Sequence, residues 1–146
     1  MRFWDASAIV PLLVDEEITK TAEKLYREDP HLCVSWTTLL ECTSAVVRRE
    51  REDLLDPASV ELALGRLRAL AERWEEVLPT DDLRTDALRL LRVHPLRVAD
   101  SFQLASAFAL GRGRPGRFPF VCADRRLSDA AAREGFLVIP VVPRTR

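Results

Sequence analysis

Residues Phe118-Pro119-Phe120-Val121-Cys122-Ala123-Asp124-Arg125-Arg126-Leu127 run from an apolar stretch, through a single acid, into a charged segment that can start a helix. A strand so brief and so apolar belongs in a sheet buried on both faces. The same succession opens the chain, where Arg2-Phe3-Trp4 leads through Asp5 into Ala6-Ser7. Two such units predict strands that run parallel and place both acids at the carboxyl edge of the sheet. In open α/β sheets that edge is where ligands bind.

Outward from these two units, short apolar runs alternate with longer helical ones, the pattern of a parallel sheet covered on both faces. The expected strands are Arg2–Trp4, Leu32–Ser35, Glu76–Leu78, Phe118–Cys122 and Phe136–Ile139. Asp56-Pro57 supplies a cap and a first-turn proline, after which Val60, Leu64, Leu67, Ala71 and Trp74 recur at steps of four and three, predicting one amphipathic helix. Thr80 caps another, with Leu83, Ala87 and Leu90 on one face. Trp36–Arg51 and Ser101–Leu110 read as two more, the second rich enough in alanine and serine to lie close against the sheet. Gly111–Gly116 is a turn-rich loop, so residues 1–146 are expected to form one domain.

Composition excludes more than it selects. The chain is 47% hydrophobic and 31% charged, as ordinary folded proteins are. With 22 basic against 23 acidic residues the net charge is −1, so no broad basic surface announces nucleic acid. Cys33, Cys42 and Cys122 are far apart, without metal or redox spacing, and read as buried free thiols of a reducing cytoplasm. His31 and His94 stand beside prolines and read as loop residues rather than catalytic ones. The first apolar run, Ala6–Val14, is short, contains Pro11 and is bounded by Asp5 and Asp15, which fits neither a membrane span nor an export signal. The tail Pro143–Arg146 is the one segment expected to lack structure.

Four acids carry the functional reading: Asp5, Glu41, Asp100 and Asp124. Aspartate is a favoured helix N-cap, and Asp5, Asp100 and Asp124 each precede a helical stretch; Asp100 even has Gln103 three residues on, as in a capping box. Glu41 lies within a helix, where capping does not account for it. Four converging carboxylates resist joint ionisation, and a divalent cation removes that cost. Magnesium favours carboxylate oxygens and retains water, an arrangement suited to phosphodiester hydrolysis.

The four blocks together resemble the PIN-domain family, in particular the VapC-type toxin half of VapBC toxin–antitoxin pairs. Phe3-Trp4-Asp5-Ala6-Ser7-Ala8-Ile9-Val10 is similar to the family's opening strand with its first acid. Thr38-Leu39-Leu40-Glu41 resembles the second-acid helix, Leu96–Ala107 the third-acid helix, and Cys122-Ala123-Asp124-Arg125-Arg126-Leu127, leading to Gly135, the fourth-acid segment. The family often has Thr or Ser where this chain has Cys122, and a thiol is the poorer hydrogen-bond partner. The resemblance implies a three-layer α/β/α sandwich with a mainly parallel five-stranded sheet, and a magnesium- or manganese-dependent endoribonuclease. It further implies Asp5 and Asp100 as principal metal ligands, Glu41 and Asp124 completing the pocket, and Ser7 supporting the first acid. A homodimer and a silencing antitoxin would be the protein partners, with RNA as substrate.

Among the arginines, Arg97 and Arg125 flank acids and are the candidate RNA contacts. Arg112, Arg114 and Arg117 should lie at the opposite edge of the sheet, and Arg48, Arg49 and Arg51 end a helix whose dipole they complement. A phosphoacceptor receiver domain is disfavoured, since both lysines, Lys20 and Lys24, come early and no aspartate ends the Val77-Leu78 run. The remaining alternative is a catalytically inactive PIN-like module that binds RNA or protein.

Overall fold

The computed structural model describes residues 1–143, so the expected loose tail falls, from residue 144 on, outside the described residues. Five strands, β1 (Arg2–Trp4), β2 (Leu32–Ser35), β3 (Glu75–Val77), β4 (Phe120–Cys122) and β5 (Val138–Pro140), form one sheet in the order β3-β2-β1-β4-β5. Every pairing is parallel. The chain builds outward from β1 to β3, then crosses back to lay β4 on the other side of β1. That reversal makes a topological switch point between β1 and β4, and their carboxyl ends open a crevice there.

Around the sheet lie α1 (Ala6–Ile9), α2 (Thr19–Glu28), α3 (Thr38–Arg51), α4 (Pro57–Ala71), α5 (Asp81–Val93), α6 (Val98–Gly111) and α7 (Arg125–Arg133). Side chains alternate across each strand, so the sheet feeds two separate cores. Trp4, Leu32, Val34 and Val121 pack with Ile9, Leu13, Val46, Val60 and Leu67 on one face. Phe3, Phe120 and Cys122 pack with Leu83, Leu90, Leu104, Leu127 and Phe136 on the other. Phe3 stacks on Phe120 at 5.5 Å between ring centroids, joining the two central strands through their side chains as well as their backbones. The architecture is the expected three-layer α/β/α sandwich, with a sheet that is wholly parallel.

Local signals explain most boundaries. Asp56 Oδ1 accepts from Ser59 N at 2.7 Å and Thr80 Oγ1 from Leu83 N at 3.1 Å, so both expected caps form. Several expectations need correction. Trp74 lies beyond the end of α4, buried, with its indole N–H donating to Glu76 at 3.0 Å. Strand β3 is an edge strand whose Glu75 and Glu76 are exposed, not a strand buried on both faces; such charges discourage pairing with another chain. Helix α6 begins at Val98 rather than Ser101, and its small residues do bring it close, with Ser106 Oγ donating to Ser35 Oγ at 3.0 Å. His94 does lie in the loop between α5 and α6, as expected, but it is buried, only 7% exposed. All three cysteines are buried and free. No helix among the described residues is long and apolar enough to cross a membrane.

Candidate active site

Register places the first and last acids. Trp4 pairs with Val121, and Asp5 N donates to Val121 O at 3.0 Å, so Asp5 leaves the sheet beside the end of β4. Ser7 then bridges the two strand ends. Its hydroxyl donates to Asp5 Oδ2 and accepts from Ala123 N and Asp124 N at 3.0 and 3.2 Å. A single hydroxyl thus orients the first acid and fixes the backbone of the last.

Asp5 is 4% exposed, and its carboxyl is pushed up to about 6. Burial is the main cause, with the charges of Glu41 and Asp100 adding and the Ser7 hydrogen bonds opposing. Glu41, in the first turn of α3, is also shifted upward, mainly by burial and further by Asp100, against the hydrogen bonds it receives. Those bonds come from Thr37 Oγ1 at 2.8 Å and Gln103 Nε2 at 2.9 Å, both to Oε1. Asp100 stands in the first turn of α6, where its Oδ2 accepts from Arg97 N at 3.1 Å. Three carboxylates from three separate elements therefore feel one another's charge.

Asp124 Oδ1 caps α7 by accepting from Leu127 N at 2.8 Å, as Asp5 Oδ2 caps α1 by accepting from Ser7 N at 3.0 Å, and neither carboxylate lines the cleft that Glu41 and Asp100 share. That cleft, of about 480 Å³, is walled by Ala6, Ser7, Glu41, Arg48, Arg97 and Asp100 among others. Arg97 is thus where the sequence predicts it, whereas Arg125 lines a neighbouring concavity. Cys122 supports the site through Asp5 and the Asp124 carbonyl, at 3.7 and 3.3 Å, rather than through the Asp124 carboxylate. Burial first, then the Asp5 charge, pushes its thiol up to about 12, so it stays protonated.

Sequence reasoning assigned Gln103 to a capping box; the structure gives it another role. Gln103 is 1% exposed and its amide donates to both Glu41 and Thr38, tying α6 to α3. A polar side chain on the buried face of an alanine-rich helix was the available signal. Arg48, which from the sequence reads as complementing its helix's dipole, also reaches the site. Arg49 is paired with Glu16, while Arg48 on the next position faces the cleft.

Each acid spends one oxygen on the protein, and among the described residues Asp5 Oδ1, Glu41 Oε2, Asp100 Oδ1 and Asp124 Oδ2 take no hydrogen bond. None of the four has an ion-pair partner among the described residues. No group of three His, Cys, Asp or Glu among the described residues stands ready to hold a metal. Magnesium does not require one, because it binds through one or two carboxylates and keeps several waters. Hard, unpaired oxygens around a cleft fit that demand.

Comparison with known proteins agrees with the fold. A solved toxin–antitoxin complex from Klebsiella pneumoniae aligns with a TM-score of 0.64 and 15% identity, covering 99% of this chain and 100% of that one. FitAcB from Neisseria gonorrhoeae aligns with a TM-score of 0.62 and 17% identity, covering 94% and 96%. No curated protein is a significant match in sequence. The family model for the PIN domain matches residues 2–133, a span from β1 through the end of α7 that contains all four acids, Ser7 and Gln103. This chain belongs to the PIN domain family.

Proposed function

We propose that this protein is a divalent-metal-dependent endoribonuclease, the VapC-type toxin of a type II toxin–antitoxin pair. One observation carries the reading: Asp5, Glu41 and Asp100, remote in sequence, come within range of one another's charge, form no ion pair among the described residues, and two of them line one cleft at the carboxyl side of the sheet. A buried carboxylate such as Asp5, close to two half-buried ones, costs stability, and a cation site is the function that such an arrangement serves.

In this reading Asp5 and Asp100 hold magnesium or manganese, with Glu41 and Asp124 completing the pocket. The bound ion supplies neutralisation of phosphate charge and activation of water. Ser7 holds Asp5 so that Oδ1 remains free. Thr37 and Gln103 hold Glu41 by Oε1, leaving Oε2 open to take a proton from water, and its raised proton affinity suits a general base. Arg97 contacts the phosphate backbone from the rim of the cleft.

An antitoxin partner is supported by the likeness in fold to the Klebsiella pneumoniae toxin–antitoxin complex. For a homodimer, the apolar groove between α5 and α6 offers area to bury, with Leu88 59% and Val98 73% exposed. An inactive RNA- or protein-binding module is the second reading, favoured by the use of the Asp124 carboxylate as a helix cap. Incubation of purified protein with total RNA and magnesium decides between them. The nuclease reading expects cleavage that EDTA stops and that Asp5→Asn lowers by at least about a hundredfold. A wild-type protein that leaves RNA intact with magnesium or manganese yet still binds RNA or an antitoxin would favour the module instead.

A further inference from the structure

A second concavity, of about 280 Å³, lies beside the acidic cleft and is walled by His94, Pro95, Arg125, Arg126, Asp129 and Arg133. Arg126 and Arg133 are seven residues apart, two turns of α7, and so share one face of that helix. Asp129 stands between them at helical pairing distance from each. Nevertheless, among the described residues Arg125, Arg126 and Arg133 form no ion pair. Three guanidiniums against one carboxylate leave the pocket positive in a chain whose net charge is −1.

The opposite wall is built. His94 is buried, its Nε2 lies 2.6 Å from Glu134 Oε1, and Arg89 donates to both oxygens of Glu134 at 3.1 and 2.9 Å. Glu134 is thereby satisfied by Arg89 and His94 and leaves the pocket's own arginines free. The segment that follows His94 connects the two concavities: His94 and Pro95 line this pocket, while Arg97 lines the cleft with Glu41 and Asp100. Leu96 N donates to His94 O at 2.8 Å, so this link is turned and spans less than the about 10 Å of three extended residues, which keeps the pocket within a few nucleotides of the cleft. Helix α7 itself starts directly after Asp124, so its first turn also adjoins the acids.

We propose that the pocket between α7 and His94–Pro95 binds a backbone phosphate of single-stranded RNA, a few nucleotides from the cut, with Arg126 and Arg133 as its principal ligands and Arg125 beside them. The inference rests on the ribonuclease reading. Guanidinium forks match phosphate oxygens two at a time, and contacts to phosphate fix register without reading sequence. Asp129 repels the same phosphate, so it weakens binding, and removing its charge should have the opposite effect to removing an arginine.

The test measures binding of a fluorescent single-stranded RNA oligonucleotide to Asp5→Asn protein in EDTA, across a salt series. Arg126→Gln/Arg133→Gln should weaken binding about tenfold and flatten the salt dependence by about one unit of slope. Asp129→Asn should tighten binding, and Arg112→Gln/Arg114→Gln should leave it unchanged. In the otherwise wild-type protein, the pocket pair should raise KM for RNA and leave kcat alone. Unchanged affinity in the pocket pair, an equal loss in the loop pair, or weaker binding in Asp129→Asn would each overturn the subsite. If the wild-type protein cuts RNA and the pocket pair binds normally, the subsite alone fails. A wild-type protein that neither binds nor cuts RNA removes both readings.

Discussion

At the scale of single residues, Asp5 combines the features that most constrain function. It is buried, held by Ser7 through one oxygen, and pressed by two other acids. Its folded pKa of about 6 stands above the ordinary 3.8, so between those values the folded protein binds a proton that the unfolded chain has released. In the absence of metal, the stability that Asp5 contributes is therefore complete below the lower value and is lost as pH rises through the upper one. Asp5→Asn keeps an acceptor for Ser7 and removes the charge. Metal-free Asp5→Asn should thus be more stable than wild type by up to about 3 kcal/mol at neutral pH, and no more stable near pH 3. Denaturant melts at the two pH values check this; a variant less stable at both would show that Asp5 is not a carboxylate held at a cost.

At the scale of elements, the site depends on how α6 lies against α3. Small residues let α6 approach β2 through the Ser106–Ser35 hydrogen bond, and that approach brings Gln103 to Glu41. Gln103 fills a position at which an apolar residue would pack equally well but would leave Glu41 with Thr37 alone. Gln103→Leu should leave the fold intact and lower RNA cleavage about tenfold to a hundredfold, in kcat more than KM, as loss of an orienting partner does. Circular dichroism and turnover on the same preparation test it; full activity would make Gln103 a packing residue only. Helix α2 teaches the complementary lesson. Ala22, Leu25 and Tyr26 repeat at helical spacing on one face, yet the surrounding charges leave so few apolar positions that periodicity alone does not mark the helix.

For the molecule as a whole, charge is divided by edge. The loop carrying Arg112, Arg114 and Arg117 joins the end of α6 to the start of β4, at the amino edge of the sheet. Arg97 lies at the carboxyl edge, in the cleft with the acids. On the ribonuclease reading, a chain with no net positive charge attracts RNA locally, at that one edge. Arg97→Ala should weaken RNA cleavage more than Arg114→Ala does, and equal losses in a turnover assay would show that the basic loop contributes to binding.

What could be read from residues alone was local. Strand positions followed from short apolar runs, the starts of α4 and α5 from the caps Asp56 and Thr80, and the places of the acids from their neighbours in the chain, because periodicity and capping act over a few residues. The strand order, by contrast, was decided by tertiary structure, and it sets β1 against β4 and makes the crevice. Ser7 meets Asp124, Gln103 meets Glu41 and His94 meets Glu134 across separations of 117, 62 and 40 residues. Such meetings depend on which faces pack together, a property of the assembled layers that no local segment carries. The same packing drew Asp5, Glu41 and Asp100 into mutual range, whereas the Asp124 carboxylate caps its own helix through a bond three residues long that its neighbours in the chain already signal.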